Sequence, residues 1–350
     1  MDYNGDLNEY RNGMTQLLTY PDIDPQQWQA LIDRSPYATW FQTKEAYEFY
    51  ASLPEEMTPF ALGIEENGHL AGVIVGYTTQ EKNPIKQLLT CRSIIIGGPL
   101  LDEHISDEAL SALLGAVPPA SRLSPFASRL MKPIYIETRN FHDYSRWKEV
   151  FQYAGFAYQP HYDIHVHCNA THTMSEQRIR QVKKAVKNGT EICEAQSEQE
   201  IRDWYQILQQ LYREKVRTPL FSEEFFLRFY RENRGIYILV KFQGKVIGGM
   251  MCPILNNKAI YEWYVCGLDE EYRELYPSVM ATYAAIEYAK QNHISLLDFM
   301  GAGTPDIPYG VRDFKMEFGG ELVEHGRFLC VRKPLLYKIG EWGVKWLKRW

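Results

Sequence analysis

The chain repeats itself, and that repetition constrains its fold more than any other feature of its 350 residues. GIEENGHLAGVIVGY near residue 63 and VKFQGKVIGGMMCPI near residue 240 share a strand–turn–strand pattern, with small residues after each turn. Asn67-Gly68 and Gln243-Gly244 sit at the turns, where a tight hairpin needs residues that accept positive φ. Upstream of each hairpin lie a Trp-bearing helix and an aromatic one, QWQALID with AYEFY and then DWYQILQ with FLRFY. Downstream of each, an apolar strand ends in glycines, Gly97-Gly98-Pro99 in the first half and Gly301-Ala302-Gly303 in the second. The ordered series predicts a duplicated unit. Strands alternating with helices in each copy predict an α/β (α+β) fold, two domains with mixed sheets and a cleft between them. The first twenty residues are polar and are expected to be loosely ordered, and a helix is expected over Ser121–Met131.

Bulk properties exclude several classes. The formal net charge of -6 argues against a surface built as a whole for polyanions, so any phosphate contact must be local. Six cysteines are scattered without a CxxC pair, several inside apolar strands, which fits a reducing cytoplasm rather than a disulfide framework or a zinc knuckle. No basic and apolar leader opens the sequence, and no apolar run approaches the roughly 20 residues of a membrane span. The expected location is therefore cytoplasmic.

The stretch Leu297–Gly326 carries the most chemistry. A buried strand breaks at Gly301-Ala302-Gly303, a Pro- and Gly-punctuated loop follows, and Arg312-Asp313-Phe314-Lys315 stands behind it. A strand that delivers its end into a glycine-rich loop backed by cations suits an anionic substrate. Lys315 offers a mobile point charge, and Arg312 a fork for phosphate or carboxylate; the bland alternative is a solvated pair packing its stems on Phe314.

The residues also resemble a known family. Gly310, Phe314-Lys315, Phe318-Gly319-Gly320, Glu324, Gly326-Arg327-Phe328 and Pro334-Leu335-Leu336-Tyr337-Lys338 are similar to the C-terminal series of the Fem-type (FemABX) peptidoglycan aminoacyltransferases, which are tandem GNAT-like domains. Phe41-Gln42-Thr43, Gly98 to Asp102, and the basic helix around Arg178–Gly189 support the likeness, which spans nearly the whole chain. The resemblance implies two GNAT-like domains, the second carrying the active site; the pattern along the chain changes at Met174 and places them over 1–173 and 174–333, with an amphipathic helix expected over 334–350. It implies attack by an amine of a nucleotide- or lipid-linked peptidoglycan precursor on the ester of an aminoacyl-tRNA, with Lys315 as the catalytic lysine close to the reacting groups. The span from Gly189 to Gly235 is too short for the helical arm some members carry, so charged tRNA as donor stays an expectation.

Acyl transfer to an amine needs proximity, a free-base nucleophile and a stabiliser for the oxyanion, but no metal and no tightly bound cofactor. A CoA-dependent relative would open the helix after the hairpin with a glycine-rich pyrophosphate loop. Here that place reads Asp269–Pro277 without a glycine, which makes acyl-CoA the less favoured donor. Tyr261, Trp263 and Tyr264 are candidates for lining the substrate channel; alternation places Tyr261 and Trp263 on one face and Tyr264 on the other. Gln42 and Lys44 are candidates for binding the precursor from the first domain. Arg180, Lys183 and Lys184 share a helical face that suits a tRNA stem or a diphosphate, with Ile179, Val182 and Val186 on the apolar face. His165, His167, Cys168 and His172 lack a second ligand pair at zinc spacing, so no metal is expected. In the tail, Leu335, Ile339, Trp342, Trp346 and Trp350 recur at helical spacing among Lys and Arg, the mix of an interfacial helix at the inner leaflet, with docking on the second domain as the alternative. Two other functions stay open: N-acyl transfer from acyl-CoA or an acyl carrier, and a non-catalytic module that binds a cell-wall or polysaccharide precursor.

Overall fold

The computed structural model describes residues 15–117, 132–169 and 174–347, the last seven as backbone alone. The helix expected over Ser121–Met131, His172 and the tip of the tail lie outside them. The chain runs β1 (Thr15–Thr19), α1 (Pro25–Arg34), α2 (Lys44–Ala51), β2 (Met57–Glu66), β3 (His69–Thr79), α3 (Pro84–Thr90), β4 (Ser93–Gly97), β5 (Leu100–Leu101), α4 (Asp107–Gly115), β6 (Tyr135–Asn140), α5 (Lys148–Tyr153) and β7 (Ala157–Gln159). It continues through β8 (Tyr162–His167), α6 (Glu176–Lys187), β9 (Thr190–Glu194), α7 (Glu198–Leu211), α8 (Glu223–Arg231), β10 (Gly235–Phe242), β11 (Lys245–Leu255), β12 (Ala259–Tyr261), β13 (Tyr264–Gly267), α9 (Pro277–Gln291) and β14 (Leu296–Asp298). Last come α10 (Gly310–Met316), β15 (Glu321–Glu324), β16 (Arg327–Val331) and α11 (Pro334–Leu347). No helix among the described residues is long and apolar enough to cross a membrane.

Local chemistry explains the punctuation. Asp24 starts α1 by accepting from the amides of Gln26 and Gln27, with Pro25 at the first helical position. Asn67 and Gly68 both have positive φ, as do Gln243 and Gly244, so the two long hairpins turn in the same way. Residues 15–19, expected to be loose, form β1 because their backbone completes the edge of β2.

Two compact units result. The first runs to Pro160 and resumes at His325; the second is His161–Glu324. The first sheet has the order β1-β2-β3-β4-β6-β16-β7, the second β15-β8-β14-β12-β11-β10-β9. The expected boundaries after residues 173 and 333 are therefore displaced. β8 lies between β14 and β15 of the second sheet, and β16 lies between β6 and β7 of the first. β8 precedes the expected boundary after residue 173 yet joins the second sheet, and β16 precedes the one after residue 333 yet joins the first, so strand pairing sets the division.

The repeat is real in topology but shifted from its sequence alignment. In the first unit β4 pairs antiparallel with β3 and parallel with β6, and the chain then breaks at Gly98-Pro99 before β5 returns to β3. In the second, β12 pairs antiparallel with β11 and parallel with β14, and the chain breaks at Glu262-Trp263 before β13 returns to β11. Gly97-Gly98-Pro99 thus corresponds to the break after β12, not to Gly301-Ala302-Gly303, which follows the partner strand. The Met250, Ile260, Met280, Ala284 and Ala285 side chains form part of the second core, where the small residues of α9 let the helix lie close to the sheet.

Candidate active site at the parting of the second sheet

The site is built where two parallel strands separate. β12 and β14 pair from Ala259↔Leu296 to Tyr261↔Asp298, and the Glu262 amide adds one more bond to the Asp298 carbonyl at 2.9 Å. Beyond that point β13 stays on β11, while the chain after β14 stays on β8, the Phe299 amide donating to the Ile164 carbonyl at 3.1 Å. Parallel strands that part at their carboxyl ends leave backbone and side chains open to a ligand. The turn after β14 is left-handed, with φ of 55° at Met300, 131° at Gly301 and 80° at Gly303. At Gly303 an added Cβ would sit 2.9 Å from the Tyr309 ring, so glycine is required there.

The Arg312–Lys315 cluster behind the loop lies on the short helix α10, and its two cations face inward. Lys315 is 8% exposed, and its ammonium donates to the Phe299 carbonyl at 2.8 Å and the Gly301 carbonyl at 3.0 Å. Its third partner is Glu262 Oε1 at 3.0 Å, so all three donors are used. Arg312 donates from Nε to the Ala302 carbonyl (2.9 Å) and from Nη2 to the carbonyls of Thr304 (2.8 Å) and Ile307 (2.9 Å). Its guanidinium also lies 5.0 Å from the centre of the Tyr162 ring. The two side chains clamp the loop 299–307. Phe314 packs on Phe318 at 5.3 Å, with the Arg178 guanidinium over its ring at 4.4 Å.

Glu262 is the residue that sequence reasoning missed. It is 6% exposed, one oxygen pairs with Lys315, and the other, Oε2, has no hydrogen-bond partner among the described residues. Burial raises its pKa against the opposing charge of Lys315. A single carboxylate inside the apolar run IYEWY was the available signal, since a lone buried charge needs a partner.

Behind it lies a second polar group. Asp163, His165 and Asp298 are all buried, with one ligand-type atom each within 4.8 Å of one another. His165 Nε2 is 3.4 Å from Asp298 Oδ2. Burial opposes the charge on His165, but the hydrogen bond and charge of Asp298 outweigh it and lift the imidazole to about 9. Burial likewise opposes ionisation of Asp298, and the hydrogen bond from His165 overcomes it, so its pKa falls; that of Asp163 rises well above the ordinary range through burial and then the charge of Asp298. Among the described residues these three are the group that could take a cation, yet their oxygens are already engaged. Asp163 Oδ1 accepts from Ile164 N (2.7 Å) and Gly301 N (2.8 Å), and Asp298 Oδ1 from Met300 N (2.7 Å). The cluster pins the left-handed turn.

The remaining candidates disperse. Tyr261 is fully buried, whereas Trp263 and Tyr264 are half-buried and contact each other at 5.9 Å and the Phe225 ring at 5.3 and 6.2 Å. The expected alternation fails because the chain leaves the sheet at Glu262-Trp263. In the first unit Gln42 is buried and donates to the Gly97 and Gly98 carbonyls at 3.3 and 2.9 Å, holding that turn, while Lys44 pairs with Glu48 at 3.4 Å on the surface. On α6, Arg180 pairs with Glu176 and Lys184 with Glu274, and Lys183 is exposed. The buried face is Arg178, Val182 and Ala185, not Ile179, Val182 and Val186, because Arg178 stacks on Phe314 and pairs with Glu317 at 3.1 Å. At the start of α9, Asp269 accepts from Ser278 N (3.0 Å) and Ser278 Oγ (2.5 Å), so an internal carboxylate occupies the helix end at which a CoA-dependent relative would hold pyrophosphate.

Residues 175–316 match the family model described as an acetyltransferase (GNAT) domain. Among solved structures, FemX superposes with a TM-score of 0.67 and 14% identity, covering 93% of this chain and 99% of that one. L-PGS from Bacillus licheniformis gives 0.54 and 12% (89% and 92% covered), and a tandem GNAT protein from the clavulanic acid biosynthesis pathway 0.52 and 10% (90% and 98%). No curated protein matches the chain by sequence. The likenesses establish the fold: two GNAT-like domains in tandem, α/β with mixed sheets, as in FemX.

Proposed function

We propose that the second unit transfers an aminoacyl group to an amine of a peptidoglycan-precursor peptide. The observation that carries this reading is the Glu262–Lys315 pair at the parting of β12 and β14, with one carboxylate oxygen left over. The amine nitrogen attacks the donor ester carbonyl and a C–N bond forms. Glu262 takes the proton that the nitrogen sheds, directly or through one water, and returns it to the alkoxide as the ester C–O bond breaks. A raised carboxyl pKa suits that exchange. Lys315 acts as a positioning residue: it holds Glu262 and the carbonyls of the Gly301 turn in one geometry. Arg312 sets the loop, and Trp263 and Tyr264 offer the half-buried wall against which substrate can lie.

The shared fold with FemX and the Fem-type motif series support the acceptor class, and the Asp269 carboxylate at the N-terminal end of α9 supports an aminoacyl-tRNA donor over acyl-CoA. The GNAT family match favours a second reading, N-acyl transfer from acyl-CoA to another amine. If the acceptor is lipid-linked, residues 334–350 have a reason to meet the inner leaflet. A screen of purified protein with labelled aminoacyl-tRNAs or acyl-CoAs against nucleotide- and lipid-linked precursors decides among these. Label passing from tRNA to a precursor is the expected result; label passing only from acyl-CoA overturns the donor, and precursor binding with no donor turned over leaves a recognition module.

A further inference from the structure

α3 is a helix turned inside out. Its buried residue is Gln87, which donates to the Thr79 carbonyl at 3.0 Å, while its large aliphatic side chains Ile85, Leu88 and Leu89 face solvent, Ile85 at 70% exposure. In the same unit α11 packs beside α3 and does likewise. Tyr337 contacts Tyr135 at 5.5 Å on the inner side, and Leu335 and Ile339, one helical turn apart, are 80% and 62% exposed. A folded chain rarely exposes adjacent aliphatic clusters without a partner.

Charge selects the partner. Residues 332–350 carry Arg332, Lys338, Lys345, Lys348 and Arg349 against the single carboxylate Glu341, the Lys333 ammonium being buried, in a chain whose net charge is -6. On α3 and its approach, Lys82 and Lys86 stand at the surface, each paired with a carboxylate, Glu55 and Glu81. In sequence Trp342 and Trp346 follow Leu335 and Ile339 at helical spacing. Exposed aliphatic residues in a cationic segment that also supplies Trp fit the boundary of an anionic bilayer, where apolar groups enter and Lys and Arg meet phosphates.

We propose that α3 and α11 together form a docking surface for an anionic membrane. This rests on the reading of residues 334–350 as an interfacial helix and extends it to a second element far away in sequence. The surface holds the protein at the leaflet that would carry a lipid-linked acceptor.

Flotation with phosphatidylcholine vesicles, with and without one part in three of phosphatidylglycerol, tests it on the full chain. The wild type should float with the anionic vesicles and stay behind with the neutral ones. Ile85→Glu/Leu89→Glu and Leu335→Glu/Ile339→Glu should each lower the bound fraction about tenfold or more, since each removes two inserted aliphatic groups. Because all four side chains are exposed, both variants should keep the wild-type melting temperature and the wild-type rate on a soluble precursor. An α3 variant that binds as well as the wild type overturns the two-helix surface. Equal flotation with neutral vesicles overturns the role of charge, and a wild type that dimerises through this face without binding vesicles makes it a contact between copies. Flotation needs no turnover, so its failure is distinct from failure of the proposed transferase activity.

Discussion

Lys315 and Glu262 form an ion pair 3.0 Å apart in the interior of the second unit, each less than a tenth exposed. Two further bonds from the ammonium go to the carbonyls of Phe299 and Gly301, so one side chain joins α10, the end of β12 and the turn after β14. Removing one partner strands the other in a medium that solvates it poorly.

Lys315→Met should therefore destabilise the second unit by about 3–5 kcal/mol, the cost of an uncompensated buried charge. Adding Glu262→Leu should restore most of that stability, because no charge is left behind, while activity stays lost. Urea unfolding of both variants reads the difference. A double variant as unstable as the single one would mean that the pair is not the source.

Arg312 holds three loop carbonyls through a planar fork that an ammonium cannot copy. Arg312→Lys should speed amide exchange over residues 302–309 by about tenfold or more while leaving β14 protected. Exchange unchanged across the loop would show that the Pro and Gly residues alone fix it.

The pH dependence of stability follows from His165. Its folded-state pKa of about 9 lies above the ordinary 6.5, so the stabilisation is complete below 6.5 and disappears as pH rises through about 9. The difference in unfolding free energy between wild type and His165→Gln should shrink from pH 6.5 to pH 10 by something on the order of 3 kcal/mol. A difference independent of pH would remove the charged His165–Asp298 pair from the account.

Much of this architecture is legible in the sequence, and the limits are physical. The hairpins announce themselves through Asn67-Gly68 and Gln243-Gly244, because turn chemistry is local. The duplication is legible as order, but its alignment slips: Gly97-Gly98 and Gly301-Ala302-Gly303 look alike as residues, yet one breaks a strand and the other follows its parallel partner. The exchange of β8 and β16 leaves no local trace, since a strand does not encode which distant strand it joins. α10 is hidden by the Gly and Pro around it. Lys315 stands out as a residue, but its burial and its partner Glu262 depend on a contact made only in the folded chain.

The α9 end bears on the donor. Asp269 occupies the first free amide of the helix, and no glycine cradle precedes it. Titration calorimetry with acetyl-CoA should give no binding heat, whereas saturable binding would reverse the preference for an aminoacyl-tRNA donor.

The most direct test of the central claim is the rate of aminoacyl transfer by Glu262→Gln, measured at saturating donor and acceptor. The substitution keeps the shape and a hydrogen-bond acceptor for Lys315 but cannot take a proton at neutral pH. The rate should fall by about 10²–10⁴ while KM for both substrates stays close to wild type; the melting temperature should fall as well, because Gln leaves the buried Lys315 ammonium without its counter-charge, so the rate is read well below it. A variant that turns over within a few-fold of wild type would contradict Glu262 as the proton acceptor.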